Sequence, residues 1–330
     1  MSLAVDYNGD GELSFVSDNT KIAVDEDGLV TIPKNFSGKA TITVSASSTD
    51  RYEAASAIST VTVKALKNMI SVEDITVDAS MNDTETELGA TAKGGTLSYE
   101  SDVPEIIVSS DGIVTVKAGF VGEAEITVRA SASGAYKAAV ASAVITVQPI
   151  KNTITASSVS KTTSASAQTF KLSVKQKGSG KLTYKSSSSS VKVANTGKVT
   201  IAKNFAGQAV ITVKAVASGI YQAASKIVTI KVSPASVTIG TAKNISGQKI
   251  ALSWKKAIGA TGYQIQYSTS KSFKSGVKSV TVKSAATLKG TLKKLTKGKT
   301  YYIRIRSYKK ETVGNLYSKW TSFKAVKVTK

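Results

Sequence analysis

Residues 182–232 read LTYKSSSSSVKVANTGKVTIAKNFAGQAVITVKAVASGIYQAASKIVTIKV, and two earlier stretches keep the same landmarks in register. Residues 13–63 read LSFVSDNTKIAVDEDGLVTIPKNFSGKATITVSASSTDRYEAASAISTVTV. Residues 97–147 read LSYESDVPEIIVSSDGIVTVKAGFVGEAEITVRASASGAYKAAVASAVITV. A glycine (Gly28, Gly112, Gly197), a phenylalanine (Phe36, Phe120, Phe205), a second glycine (Gly38, Gly122, Gly207) and a tyrosine (Tyr52, Tyr136, Tyr221) recur at spacings of 84 and 85 residues. The one-residue difference falls between Leu88 and Leu172 and the strands that follow them. Four landmarks held through three copies mark tandem structural repeats, not one large domain.

Each copy reads as strands. Ala40-Thr41-Ile42-Thr43-Val44, Ile126-Thr127-Val128 and Ile211-Thr212-Val213 place apolar residues at every second position, the period of a half-buried strand. Asp27-Gly28, Asp111-Gly112 and Thr196-Gly197 predict tight turns whose glycine takes a positive φ. Short strands at this density, with no helical stripe, predict a β-sandwich per copy. The segments at 6–11, 91–95 and 175–180 read as hairpin turns. Tyr52, Tyr136 and Tyr221 are expected in the loop before the last strand, with their rings folded onto the core.

These residues resemble the bacterial immunoglobulin-like repeats of surface proteins and adhesins, over residues 3–233. Leu3 and Val5 match Leu172 and Val174, so the chain opens inside a repeat. The first copy is expected to lack its opening strand and to expose a sheet edge. From Ala235 the pattern changes. Trp254, the alternating Tyr263, Ile265 and Tyr267, and the group Leu295, Gly298 and Tyr301 resemble a fibronectin type III domain. The last group is similar to the tyrosine corner, in which a phenol hydroxyl ties a loop to the backbone. The expected architecture is all-β: tandem immunoglobulin-like β-sandwiches in an elongated rod. Its modules are 1–65 (short of its first strand), 66–149, 150–234 and a fibronectin type III domain at 235–330.

Composition narrows the chemistry. The 330 residues include no Cys and no His. That removes disulfides, thiolate nucleophiles, Ser-His-Asp and Cys-His arrangements, and imidazole or thiolate metal sites. The 22 carboxylates sit in the first two repeats except for Glu311, in surface turns such as Asp25-Glu26-Asp27. They offer no pair across a cleft of the kind a glycosidase needs. The third repeat has no carboxylate at all, so a Lys–Asn isopeptide bond there would lack its proton shuttle. No catalytic residue, cofactor-binding residue or cofactor is expected. No apolar run approaches the ~20 residues that span a bilayer.

Charge is segregated along the chain. Residues 1–64 carry 5 basic and 9 acidic side chains and residues 65–149 carry 5 and 12. Residues 150–234 carry 13 basic and none acidic, and residues 235–330 carry 21 and one. A field of that size steers polyanions, and salt screens it.

Two sets of residues stand out as site candidates. Asp6, Asn8 and Asp10, followed by Gly11, match the start of a calcium loop, although the twelfth position holds Ser17 in place of a carboxylate. Tyr302, Arg304 and Arg306 should share the outer face of one strand and could form a small glycan- or phosphate-binding face. The resemblance implies a non-enzymatic structural or adhesive stalk of a Gram-positive secreted or cell-surface protein. Its basic end would meet an anionic cell-wall polymer or glycan, or the stalk would meet a host surface protein. A monomer is expected, with no membrane span and no specific nucleic acid. The alternative is an accessory spacer or carbohydrate-binding region of a larger secreted polysaccharide-degrading enzyme.

Overall fold

The computed structural model describes residues 1–330 and holds strands, turns and no helix. No helix is therefore long and apolar enough to cross a membrane. The chain divides into two units, Met1–Ile150 and Lys151–Lys330, and each contains two β-sandwiches.

The third repeat shows how one copy is built. One sheet orders Val159–Thr162, Ala224–Ser233, Gly207–Ala215 and Leu182–Ser186, with the first pair parallel. Facing it are Gln168–Lys171, Lys198–Ile201 and Val191–Val193, with the pair Ile154–Ala156 and Val174–Gln176 alongside. Along Gly207–Ala215 every second residue is buried, and Ile211 and Val213 have no exposed surface. Val191, Val199 and Ile201, also fully buried, meet them from the opposite sheet. Each such side chain contributes about 1.5–3 kcal/mol through burial, so the two-residue period is what closes the sandwich. The second repeat has the same plan, with Ile75–Asp78 parallel to Ala139–Gln148.

The repeated landmarks acquire physical reasons. Gly28, Gly112 and Gly197 turn with φ of 71°, 80° and 79°. A Cβ there would stand 3.1–3.2 Å from the Phe15 ring, the Tyr99 hydroxyl or the Tyr184 hydroxyl respectively. The glycine and the aromatic residue, which lies two strands before the strand that follows the glycine, therefore recur together. The Phe-x-Gly loop is a joint between modules. In the first unit Ser37 Oγ donates to the Gly134 carbonyl at 2.8 Å. There too the Leu66 and Lys137 N–H groups donate to Ala135 and Leu66 carbonyls. In the second unit the same loop presents Ala206 to Gly259, where an added Cβ would lie 2.6 Å from the alanine methyl.

No strand of the first copy stands where Ile75–Asp78 and Val159–Thr162 stand in the next two. Leu3 N–H donates to Gly28 O as Leu88 does to Gly112 and Leu172 to Gly197. The segment before it pairs with Leu29–Val30. The strand Ala55–Val63 thus forms an open edge of a three-stranded sheet, and Ile58 is 73% exposed.

Two local expectations are corrected. The segments at 91–95 and 175–180 are not hairpin turns, because the strands they connect pair in different sheets. They are crossovers between layers, and 6–11 takes the same course ahead of Leu13–Ser17. Their glycines are required because a Cβ on Gly11, Gly95 or Gly180 would strike the carbonyl of Ser47, Ser131 or Val216. The tyrosine rings do not fold onto the core either. Tyr136 and Tyr221 cover Gly94 and Gly178 of the crossover, where a Cβ would approach within 2.8 Å. Tyr52 is left 48% exposed, because in the first copy Tyr7 covers the matching Gly9.

The last module packs Ile239–Ile245, Lys249–Trp254 and Lys289–Leu292 against a five-stranded sheet centred on Gly262–Ser268 and Thr300–Lys309. Trp254 meets Tyr263 edge-on at 5.5 Å, and Tyr263, Ile265 and Tyr267 face inward. The tyrosine corner is present: Thr296 N–H donates to Tyr301 Oη at 3.1 Å. Burial pushes the Tyr301 hydroxyl up, but the bonds to Thr296 and the ammoniums of Lys278 and Lys299 outweigh it and leave it below its ordinary value.

Candidate functional site

Tyr301, Ile303 and Ile305 point into the core, which leaves Tyr302, Arg304 and Arg306 on the opposite face of the strand Thr300–Lys309. That face is covered. The Arg304 guanidinium lies between Phe273, 4.1 Å from the ring centre, and Trp320, at 4.6 Å. The Arg306 guanidinium lies over Trp320 too, at 4.4 Å, and over Tyr317, at 3.7 Å. Rings and cations alternate in the order Phe273, Arg304, Trp320, Arg306, Tyr317. Tyr302 continues the face by meeting Phe323 edge-on at 5.2 Å.

Local hydrogen bonding explains how one indole reaches both arginines. The segment after Leu316–Tyr317 runs beside Thr300–Lys309 without regular strand pairing. Ser318 Oγ accepts from Ser307 N–H and Thr321 Oγ1 accepts from Ile305 N–H, both at 3.0 Å. The N–H groups of Ser318 and Thr321 donate back to the Ser307 and Ile305 carbonyls. Hydroxyls three residues apart therefore do the work of main-chain acceptors. Tyr317 and Trp320, offset by one residue from them, reach the arginine side.

Gln266 Oε1 accepts from both Nε and Nη2 of Arg304, at 3.0 and 2.6 Å, and Gln264 Oε1 accepts from Arg306 Nε at 2.8 Å. Burial lowers the pKa of both guanidiniums, and Arg304 adds to the lowering at Arg306. Only a planar, delocalised cation can present two faces to rings and an in-plane edge to an amide. Of the 21 basic residues in this module only these two are arginine. With each guanidinium over two rings and bonded to a glutamine, fewer of its N–H groups are left for an anion. Phe273, Gln264, Gln266, Tyr317 and Trp320 were not singled out from sequence, because they lie on three separate segments that only the folded sheet brings together.

Asp6, Asn8 and Asp10 lie on the crossover before Leu13–Ser17. Asp10 Oδ1 accepts from the Thr49 hydroxyl at 2.6 Å, and Gly11 N–H donates to Tyr7 Oη. Asp6 and Asn8 are exposed, and no group of three or more carboxylates gathers there.

Charge is arranged as distinctly as the stack. The chain's two ion pairs, Asp83–Lys117 at 2.8 Å and Glu100–Arg129 at 3.8 Å, both belong to the second repeat. At the positions of Glu100 and Arg129 the third repeat carries Lys185 and Lys214. The third repeat thus lacks that attraction and sets two like charges diagonally across the same pair of strands.

Residues 234–324 match the family model described as fibronectin type III domain. No curated protein matches the chain. Among solved structures, the FN1–FN3 domains of chicken CNTN1 share 15% identity over 79% of this chain and 98% of that one, with a TM-score of 0.28. Extracellular domains 3–5 of Drosophila OTK share 11% over 81% and 97%, with a TM-score of 0.31. The FN5 domain of Drosophila Lar shares 21% over 29% and 95%, with a TM-score of 0.23.

Proposed function

We propose that this chain is a non-enzymatic structural or adhesive segment of a bacterial secreted or cell-surface protein, and that its basic half, residues 150–330, associates with an anionic polymer of the cell envelope. The observation that carries this reading is the near-total absence of carboxylates from that half. Its 34 basic side chains face one acid, Glu311, and none forms an ion pair. Uncompensated charge of one sign destabilises a compact module through self-repulsion. It is retained where an external anion supplies the counter-charge. The acidic first half would be held away from such a polymer by the same field.

The test is co-sedimentation of the full chain with purified Gram-positive cell walls over a salt series. Binding at low salt that weakens steadily as salt rises supports the reading. No binding at the lowest salt overturns it.

A further inference from the structure

At the end of the last module remote from the third repeat, the turn Gly247–Lys249 and the loop Lys293–Lys297 enclose an open concavity. Lys249, Lys293, Lys294 and Lys297 line it, with Gly247, Gln248 and Thr296. No Asp, Glu, Arg or aromatic residue is among its walls, and no ion pair reaches any of the four lysines.

Its floor is held in place. Gln248 N–H donates to Lys330 O and Leu295 N–H to Gln248 O, at 3.0 and 3.2 Å. Gly298 N–H donates to Val328 O, and Thr296 N–H to Tyr301 Oη through the tyrosine corner. Leu295 is buried and anchors the loop from beneath. Asn244 Oδ1 accepts from the Thr329 and Lys330 N–H groups and ties in the neighbouring segment. Gln248 and Lys294 take positive φ of 55° and 53°, so two non-glycine residues hold left-handed conformations to shape these loops. Four lysines without an ion pair thus line a prearranged surface.

We propose that this concavity is the seat of a linear phosphate polymer without bases, such as a polyol-phosphate or polyphosphate chain. The proposal rests on the polyanion reading above and places it. Lysine binds phosphate as a compact point charge, and neighbouring phosphates along one strand can each meet one ammonium. Nucleic acid fits less well, because single-stranded recognition uses aromatic rings to stack bases and the concavity has none. A sugar ring likewise finds no aromatic platform there.

The experiment measures affinity of the full chain for inorganic polyphosphate, a glycerol-phosphate polymer, charge-matched single-stranded DNA and heparin. Wild type is compared with K249Q/K293Q/K294Q/K297Q and with K255Q/K256Q/K283Q/K289Q, which removes the same charge from the opposite end of the sheet. The first variant is expected to lose tenfold or more towards both phosphate polymers, and the second less than threefold. The slope of log affinity against log salt should fall by about 1 per lysine removed from the seat. The two phosphate polymers separate a preference for the phosphate itself from a preference for the polyol link. Equal losses in the two variants overturn the seat while leaving a diffuse polyanion surface. Absence of wild-type binding to every polyanion at low salt overturns both readings. Seat-dependent binding of DNA or heparin that is tighter than that of both phosphate polymers overturns the choice of ligand. Lysine acylation of wild type, with and without polyphosphate, reads the same question without any substitution: protection must concentrate on these four lysines.

Discussion

Removing one indole should unstack two cations. Trp320→Ala deletes the contacts at 4.6 Å to Arg304 and 4.4 Å to Arg306. A cation–π contact contributes about 0.5–1 kcal/mol at an exposed site and about 2 where it is desolvated. These guanidiniums are partly buried, so the two contacts together set an expected loss of about 1–3 kcal/mol. The double substitution R304K/R306K keeps the charge but loses the planar faces and the paired donation to Gln266, and should cost a similar amount. The losses should not add. With the arginines already replaced, Trp320→Ala should cost at least about 1 kcal/mol less than in wild type, the coupling expected of residues in one network. The chain has two tryptophans, and Trp254 lies in the core of the same module. Denaturant unfolding of the full chain followed by tryptophan emission therefore reports this module selectively, even when Trp320 is absent. A change under about 0.5 kcal/mol for Trp320→Ala, the range of ordinary surface substitutions, or strict additivity in the cycle, would refute the stack as a structural element.

Three further outcomes follow from particular contacts. Tyr136→Ala and Tyr221→Ala should each cost about 1–3 kcal/mol and Tyr52→Ala less than about 0.5, with Tyr7→Ala taking over the penalty in the first repeat; calorimetry of the full chain compares them. Gly259→Val forces a branched side chain against Ala206 at a φ of 75°, so the joint between the third and fourth modules should loosen and proteolysis near Ser233–Ala235 should accelerate. Asp83 is held below its ordinary pKa by the Lys117 hydrogen bond first and the Ala118 N–H second. A depressed carboxyl stabilises above its unfolded pKa and loses that stabilisation as pH falls through the folded one. Asp83→Asn should therefore lower the unfolding midpoint at neutral pH and leave it unchanged in strong acid.

The sandwiches were legible in sequence because their signal is local and repeated. Ala209, Ile211 and Val213 alternate in the chain as they alternate in the core, and Gly197 turns where a turn was read. The tyrosine corner was legible for the same reason, since Leu295, Gly298 and Tyr301 lie within one short segment. Contacts that close over long separations were not. Ser-Gly and Lys-Gly stretches look alike whether a turn joins partners in one sheet or passes between layers, so the crossovers at 91–95 and 175–180 read as hairpins. Tyr52 and Tyr136 occupy the same repeat position, yet one is displaced by Tyr7, which no register could reveal. Arg304 and Arg306 were visible on the correct face, but their partners Phe273 and Trp320 lie 31 and 16 residues from Arg304 in the chain. Only the fold brings them within stacking distance. The lysine seat was hidden in a surplus of lysines until two loops and the final strand were seen to meet.

The most direct measurement is the binding of the full chain, at low salt, to Gram-positive cell walls before and after chemical removal of their phosphate polymers. Loss of binding from the stripped walls is the predicted result. Undiminished binding to them would contradict the account, because the partner would then be a neutral glycan or a protein and the unpaired lysines of residues 150–330 would be irrelevant to it.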